Sequence, residues 1–194
     1  MELVEGTATV DDLDEFVARL GAIGDEHGVT VQAFDARAVV DRAHLERAVE
    51  LADRAIGRGE HVARDRGVEI LLYAAGTRQI DRALELGVSP GECPVVVLVD
   101  AVEDSGRDGD GDRDGGTDAD ATAEADAEGA EQRAAAAVRE MDGPGSVDPG
   151  ETLGAFDAER VRAFFEVGDA ELEAVDGTLA DVVRERVALL DVEK

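Results

Sequence analysis

A chain of 194 residues is long enough for one domain with a substantial core, and its 47 Asp plus Glu, set against 18 arginines and the single lysine Lys194, give a net charge of −28. The lone cysteine, Cys93, excludes an intrachain disulfide and a cysteine-rich zinc site. No apolar run approaches the roughly 20 residues of a membrane span, and Met1 to Asp11 lacks the basic start and apolar stretch of a signal peptide, so a cytoplasmic protein is expected. Such an excess of carboxylates, with Arg replacing Lys, points to a proteome adapted to molar salt, where the Debye length shrinks to about 3 Å and self-repulsion is screened. Most of these carboxylates are read as solvated surface.

In chain order, Leu3 to Thr9 is expected as the first strand. Leu13, Phe16, Val17 and Leu20 recur at helical spacing, and Thr9 with Asp12 resembles a capping box in front of them. Val29 to Phe34 follows as a second strand. Leu45, Ala48, Val49, Ala52 and Ile56 form the stripe of a second helix, stopped near Gly57 and Gly59. Val62 to Ala75 leaves two readings open, because VEILLYAA suits a buried strand and a buried helix equally. Thr77 is expected to N-cap a third helix that carries Ile80, Ala83 and Leu84 and ends at Gly87. Pro94 to Val102 is a nearly continuous apolar run, as in a buried strand.

The next stretch, Glu103 to Glu131, holds twelve acidic and two basic residues and almost nothing apolar larger than Ala. It cannot bury enough surface to offset its ordering entropy. Residues 103–131 are therefore read as a disordered acidic insertion in a single domain spanning 1–194, fading into a short helix at Gln132 to Met141, with Pro144 and Pro149 marking a loop. Inside it, Asp110, Asp112, Asp114 and Gly115 match the start of a calcium loop. Position 12 is Ala121 instead of a bidentate Glu, and the register from Asp108 puts Arg113 at the glycine position, so no calcium site is assigned. Arg162 to Val167 is taken as a fourth strand. Thr178 and Asp181 cap a last helix whose Leu179, Val182, Val183, Val187 and Leu190 share one face, with Leu189 and Val192 off it. The expected fold is α/β of the α+β kind: a mixed, largely antiparallel sheet of about four strands flanked by helices.

Catalytic constellations are sparse. His27, His44 and His61 lack metal-ligand spacing and are expected as exposed residues near helix ends. Ser89, Ser105 and Ser146 lack the G-x-S-x-G turn of a hydrolase nucleophile. A phosphate loop needs an internal lysine, and there is none. Cys93, before Pro94, reads as packed. No catalytic residue, metal or cofactor is assigned, so the chain is read as a binding protein and not an enzyme.

Nine arginines against eight carboxylates between Arg37 and Arg82 make that window formally +1 inside an acidic chain. There, Gly76 ahead of a Thr77-capped helix leaves backbone N–H groups at the positive helix end, and Arg78 can add a forked pair of donors suited to phosphate. An ordinary capped helix fits the same residues.

The run GVEILLYAAGTRQIDRALELGV, Gly67 to Val88, resembles the signature of the KEOPS-complex accessory subunit that binds the complex's kinase-like ATPase, the TPRKB-like family. FEVGDAELEAVDGTLADVVRERVALLDVEK, Phe165 to Lys194, resembles that family's C-terminus. The likeness covers roughly residues 1–102 and 150–194, and the acidic insertion departs from it. The resemblance implies a non-catalytic subunit that docks on the N-lobe of the kinase-like ATPase. It further implies contact with the single-stranded 3′ CCA end of tRNA, in the synthesis of threonylcarbamoyladenosine next to the anticodon. Arg58, His61, Arg64, Arg78 and the Gly76/Thr77 backbone are the expected RNA-facing residues, with Tyr73 either a stacking platform or a core residue. Val187, Leu189, Leu190 and Val192 are the expected kinase contacts; burial in the protein's own core is the competing account, and at Leu190 the preferred one. The alternative function is a protein-only adaptor that regulates the ATPase without touching RNA.

Overall fold

The computed structural model describes residues 1–101, 117–143, 145–175 and 177–191, with 117–122 as backbone only. Four strands, β1 (Glu2–Val10), β2 (Val29–Asp35), β3 (Gly91–Ala101) and β4 (Val147–Pro149), form one sheet in the order β2-β3-β1-β4. Every pairing is antiparallel. The apolar run at Pro94 becomes the long central strand because β3 is covered on both faces. Val95, Val97 and Val99 point to one core, Val96 and Leu98 to the other.

The first face carries α1 (Leu13–His27) and α5 (Thr117–Arg139), which contribute Phe16, Leu20, Ala134, Ala135 and Val138. The second carries α2 (Arg42–Gly57), α3 (Arg66–Ala74) and α8 (Leu179–Leu189), packed through Leu45, Leu51, Ile70, Leu72, Val183 and Val187. Where β4 joins the sheet, a Cβ on Gly6 would sit 2.2 Å from the Asp148 carbonyl oxygen, so this strand pair closes only on glycine.

Several local expectations change. The N-cap of α1 is Asp12 alone, which accepts from the Glu15 amide at 3.0 Å, while Thr9 lies inside β1. The open segment is helical: Asp65 caps α3 by accepting from the Val68 amide at 2.9 Å. The third expected helix is only the short α4 (Ile80–Ala83), capped at Gln79 with no side-chain bond, followed by a 3-10 turn over Leu84–Leu86 that does end at Gly87. Thr77 accepts instead from the Gln79 amide at 3.2 Å, a local turn.

Arg162 to Val167 is not a strand. Asp157 accepts from the Glu159 and Arg160 amides, both at 3.0 Å, and starts α6 (Ala158–Phe164), so the fourth strand falls to Val147–Pro149. Arg160 then reaches the fully buried Asp35 at 3.2 Å. A short helix, α7 (Asp169–Ala174), follows, and α8 starts on the expected capping box of Thr178 and Asp181.

The acidic stretch is less irregular than its composition implies. Residues 102–116, including the calcium-like Asp110 to Gly115, lie outside the described residues. From Thr117 the chain is helical, and the first half of α5 takes the place of the disorder expected through 131. The anchor is Glu131, 6% exposed, which accepts from the Ala101 amide and from the Met1 ammonium, each at 2.8 Å. One buried carboxylate with two donors fixes a helix that is mostly Ala, Asp and Glu.

Candidate nucleic-acid and kinase interface

Helices α2 and α3 pack antiparallel, and the loop between them carries Arg58, His61 and Arg64. Glu69, 2% exposed, shapes that loop by accepting from the Val62 and Ala63 amides at 3.0 and 2.8 Å. Arg66 ties the start of α3 to its neighbours, with a forked pair to Asp53 at 2.6 and 2.7 Å and a bond to Asp100 at 2.5 Å. Neither Glu69 nor Arg66 stood out in the sequence, since both look like ordinary surface charges there.

The far end of α3 is held by His44. This residue is fully buried, against the expectation of an exposed histidine, and its Nε2–H donates to the Ala74 carbonyl at 2.8 Å. A carbonyl only accepts, so the proton sits on Nε2, and Nδ1 has no partner among the described residues. The Phe165 ring meets the imidazole edge-on at 6.0 Å, while Asp41 and Arg184 are its charged neighbours. Burial pushes the imidazole below its ordinary 6.5, outweighing the bond to Ala74.

The unfolded chain therefore binds more protons than the fold below that value. The His44 contribution to stability is intact above about pH 6.5 and declines as pH falls toward the folded-state value, by at most about 1.4 kcal/mol per pH unit. Urea midpoints of wild type and His44→Gln, compared between about pH 7.5 and 5, should show a steeper acid loss in wild type. Parallel curves would contradict this.

Gly76 also departs from expectation. At φ 58° it is the left-handed residue that ends α3. Its N–H returns to the Tyr73 carbonyl at 2.9 Å and that of Thr77 to Leu72 at 3.1 Å, a Schellman closure. The two amides expected to face an anion are thus spent on the helix behind them, and the four-residue α4 supplies no substitute. Tyr73 is 2% exposed and belongs to the core, so it is no stacking platform.

The arginine side chains fare better. Arg37, Arg42, Arg47, Arg54, Arg66 and Arg82 are held in ion pairs of 2.5 to 2.8 Å. Among the described residues the one carboxylate that Arg58 pairs with is Asp191, at 3.8 Å. Arg64 and Arg78 have no ion pair among the described residues, and the Arg78 Nε is shielded without a partner. Arg58, His61 and Arg64 are exposed and cluster at the entry to α3; Arg78 follows its exit, one nine-residue helix away, about 14 Å.

On α8, Val187 is fully buried and Leu190 is 8% exposed, both in the core of this chain. Leu189, at 44%, is the expected contact that remains on the surface, and Val192 lies outside the described residues. Asp191, beside Arg54 and Arg58, places this end of α8 next to the α2–α3 loop. Among the described residues no helix is long and apolar enough to cross a membrane.

Comparison with curated proteins finds no individual match. The family model for kinase binding protein CGI-121 matches residues 10–191, spanning the Gly67–Val88 motif and nearly all of the terminal run. With that much of its length matched, the chain belongs to the CGI-121 family of kinase-binding proteins and corresponds to the kinase-binding subunit of the KEOPS complex.

Proposed function

We propose that this subunit binds the kinase-like ATPase through the exposed end of α8 and recruits tRNA by its 3′ CCA end for threonylcarbamoyladenosine synthesis. The observation that carries the RNA half is selective pairing. In a chain of charge −28, most arginines around α3 are neutralised, while Arg64 and Arg78 on either side of it have no ion pair among the described residues. Arg58 and His61 complete the patch; Tyr73 and the Gly76/Thr77 amides do not belong to it. Molar salt removes most of the counterion-release gain from phosphates, so short-range contacts to splayed bases have to supply affinity, and a single-stranded terminus offers them.

The kinase half rests on the family match and on Leu189, an apolar side chain left uncovered beside a buried stripe. The accessory character of the family supports a non-catalytic subunit working in the cytoplasm, and the acidic surface supports a salt-adapted source.

Electrophoretic shift in molar KCl tests the RNA half. Trimming CCA from tRNA should weaken binding by roughly tenfold or more, and Arg64→Glu with Arg78→Glu should do the same to intact tRNA. Equal binding of trimmed and intact tRNA would refute recognition of the CCA end, and no shift with either tRNA would leave the protein-only adaptor as the better reading.

A further inference from the structure

The sheet is covered on both faces, but its β2 edge is not closed by a strand. β2 pairs with β3 alone, and among the described residues no backbone group outside β3 bonds to it. The Ala33 carbonyl takes its 3.0 Å bond from the side-chain amide of the neighbouring Gln32. Along this edge runs an apolar cavity of about 350 Å3 whose walls come from both layers. Val17 and Leu20 of α1 form one side, Val68 and Leu71 of α3 with Leu84 the other, and Val31 to Ala33 lie between them. Val17 at 54% and Leu84 at 53% are the two most exposed large apolar side chains among the described residues, and both belong to this slot. Asp65 is the charged residue in the lining, and it is acidic.

We infer that the β2 edge is a docking site for an extended segment of a protein partner, which adds a fifth strand to the sheet. Three features define the occupant. Unpaired edge amides and carbonyls are satisfied by another strand. Successive residues of a strand point to opposite faces; one face here is lined by Val17, Leu20, Val31 and Ala33 and the other by Val68, Leu71 and Leu84 beside Gln32, so apolar residues at consecutive positions fit both. An acidic lining in a chain of charge −28 favours Lys or Arg on its flanks. The chain's own residues 102–116 do not fit, because after Val102 they contain no large apolar side chain. A second copy would bring an equal negative charge to the same edge. This site is separate from the RNA patch and does not depend on it.

The test uses the full chain at the lowest KCl that keeps it folded, titrated with a fluorescein-labelled peptide of sequence KRVIVVTVRK. Three things are expected: saturable binding, a loss of roughly tenfold or more when the flanks become glutamate, and no binding when alternate apolar positions become proline. Binding should raise hydrogen-exchange protection at Thr30 to Phe34. Leu84→Asp or Val17→Asp, both at exposed positions, should weaken binding about tenfold with far-UV circular dichroism unchanged. Absence of saturable binding, or indifference to the prolines, overturns the proposal. So does self-association abolished by the same substitutions, which would make the occupant a second copy.

Discussion

Replacing Arg66 by Ala should cost about 3–5 kcal/mol of folding stability, at the lower end because Asp53 keeps some solvent contact. The guanidinium is only 11% exposed and binds two carboxylates at once, one on α2 and one at the end of β3. Burial opposes its charge, but the bonds it donates to Asp53 and Asp100 more than offset that, and its pKa stands above the usual arginine value. Removing it takes the forked partner from Asp53 and leaves Asp100 with the Met1 ammonium at 3.4 Å. Molar salt relieves little of this, since partly buried charges are poorly screened. Arg66→Lys keeps the charge and loses the fork, so it should fall between. Denaturant midpoints in molar KCl give the comparison; a change below about 0.5 kcal/mol in the Ala variant would refute a structural role for this triad.

The second large effect is at Tyr73. Truncation to Ala removes the largest of the fully buried side chains and should cost about 3–5 kcal/mol. RNA binding by whatever fraction stays folded should be unchanged, and Tyr73→Phe, which keeps the ring, should bind tRNA like wild type. Loss of tRNA binding in a Phe variant of normal stability would return Tyr73 to the surface role its residue type first suggested.

Neither role is decided by sequence alone, whereas much of the fold is. The strands around Leu3, Val29 and Pro94 were legible because period-two burial and a continuous apolar run bounded by turn residues suit a strand better than a helix. The Thr178 cap was legible for a similar reason, a local pattern with a local cause. Arg162 to Val167 misled because two adjacent Phe residues look β-like, while Asp157, five residues earlier, decides for helix by satisfying two amides. Val62 to Ala75 could not be decided from an apolar stripe that is buried nearly all round.

The candidate site was less legible than the fold. Gly76 was singled out for amides facing outward, but a glycine at φ 58° after a helix turns those amides back onto the helix it ends. Pairing between distant residues, such as Arg66 with Asp100 or Arg82 with Glu166, has no signal in one sequence. Which arginines lack an ion pair among the described residues therefore emerged only from the fold, and Arg64 and Arg78 were among them.

On these assignments one subunit holds the kinase and the tRNA together. Immobilised KEOPS kinase-like ATPase, offered labelled tRNA in molar KCl, should retain it only when this chain is added, and should lose it with CCA-trimmed tRNA or with Leu189→Asp. Retention of trimmed tRNA at the level of intact tRNA, or capture that does not require this chain, would contradict that bridging role.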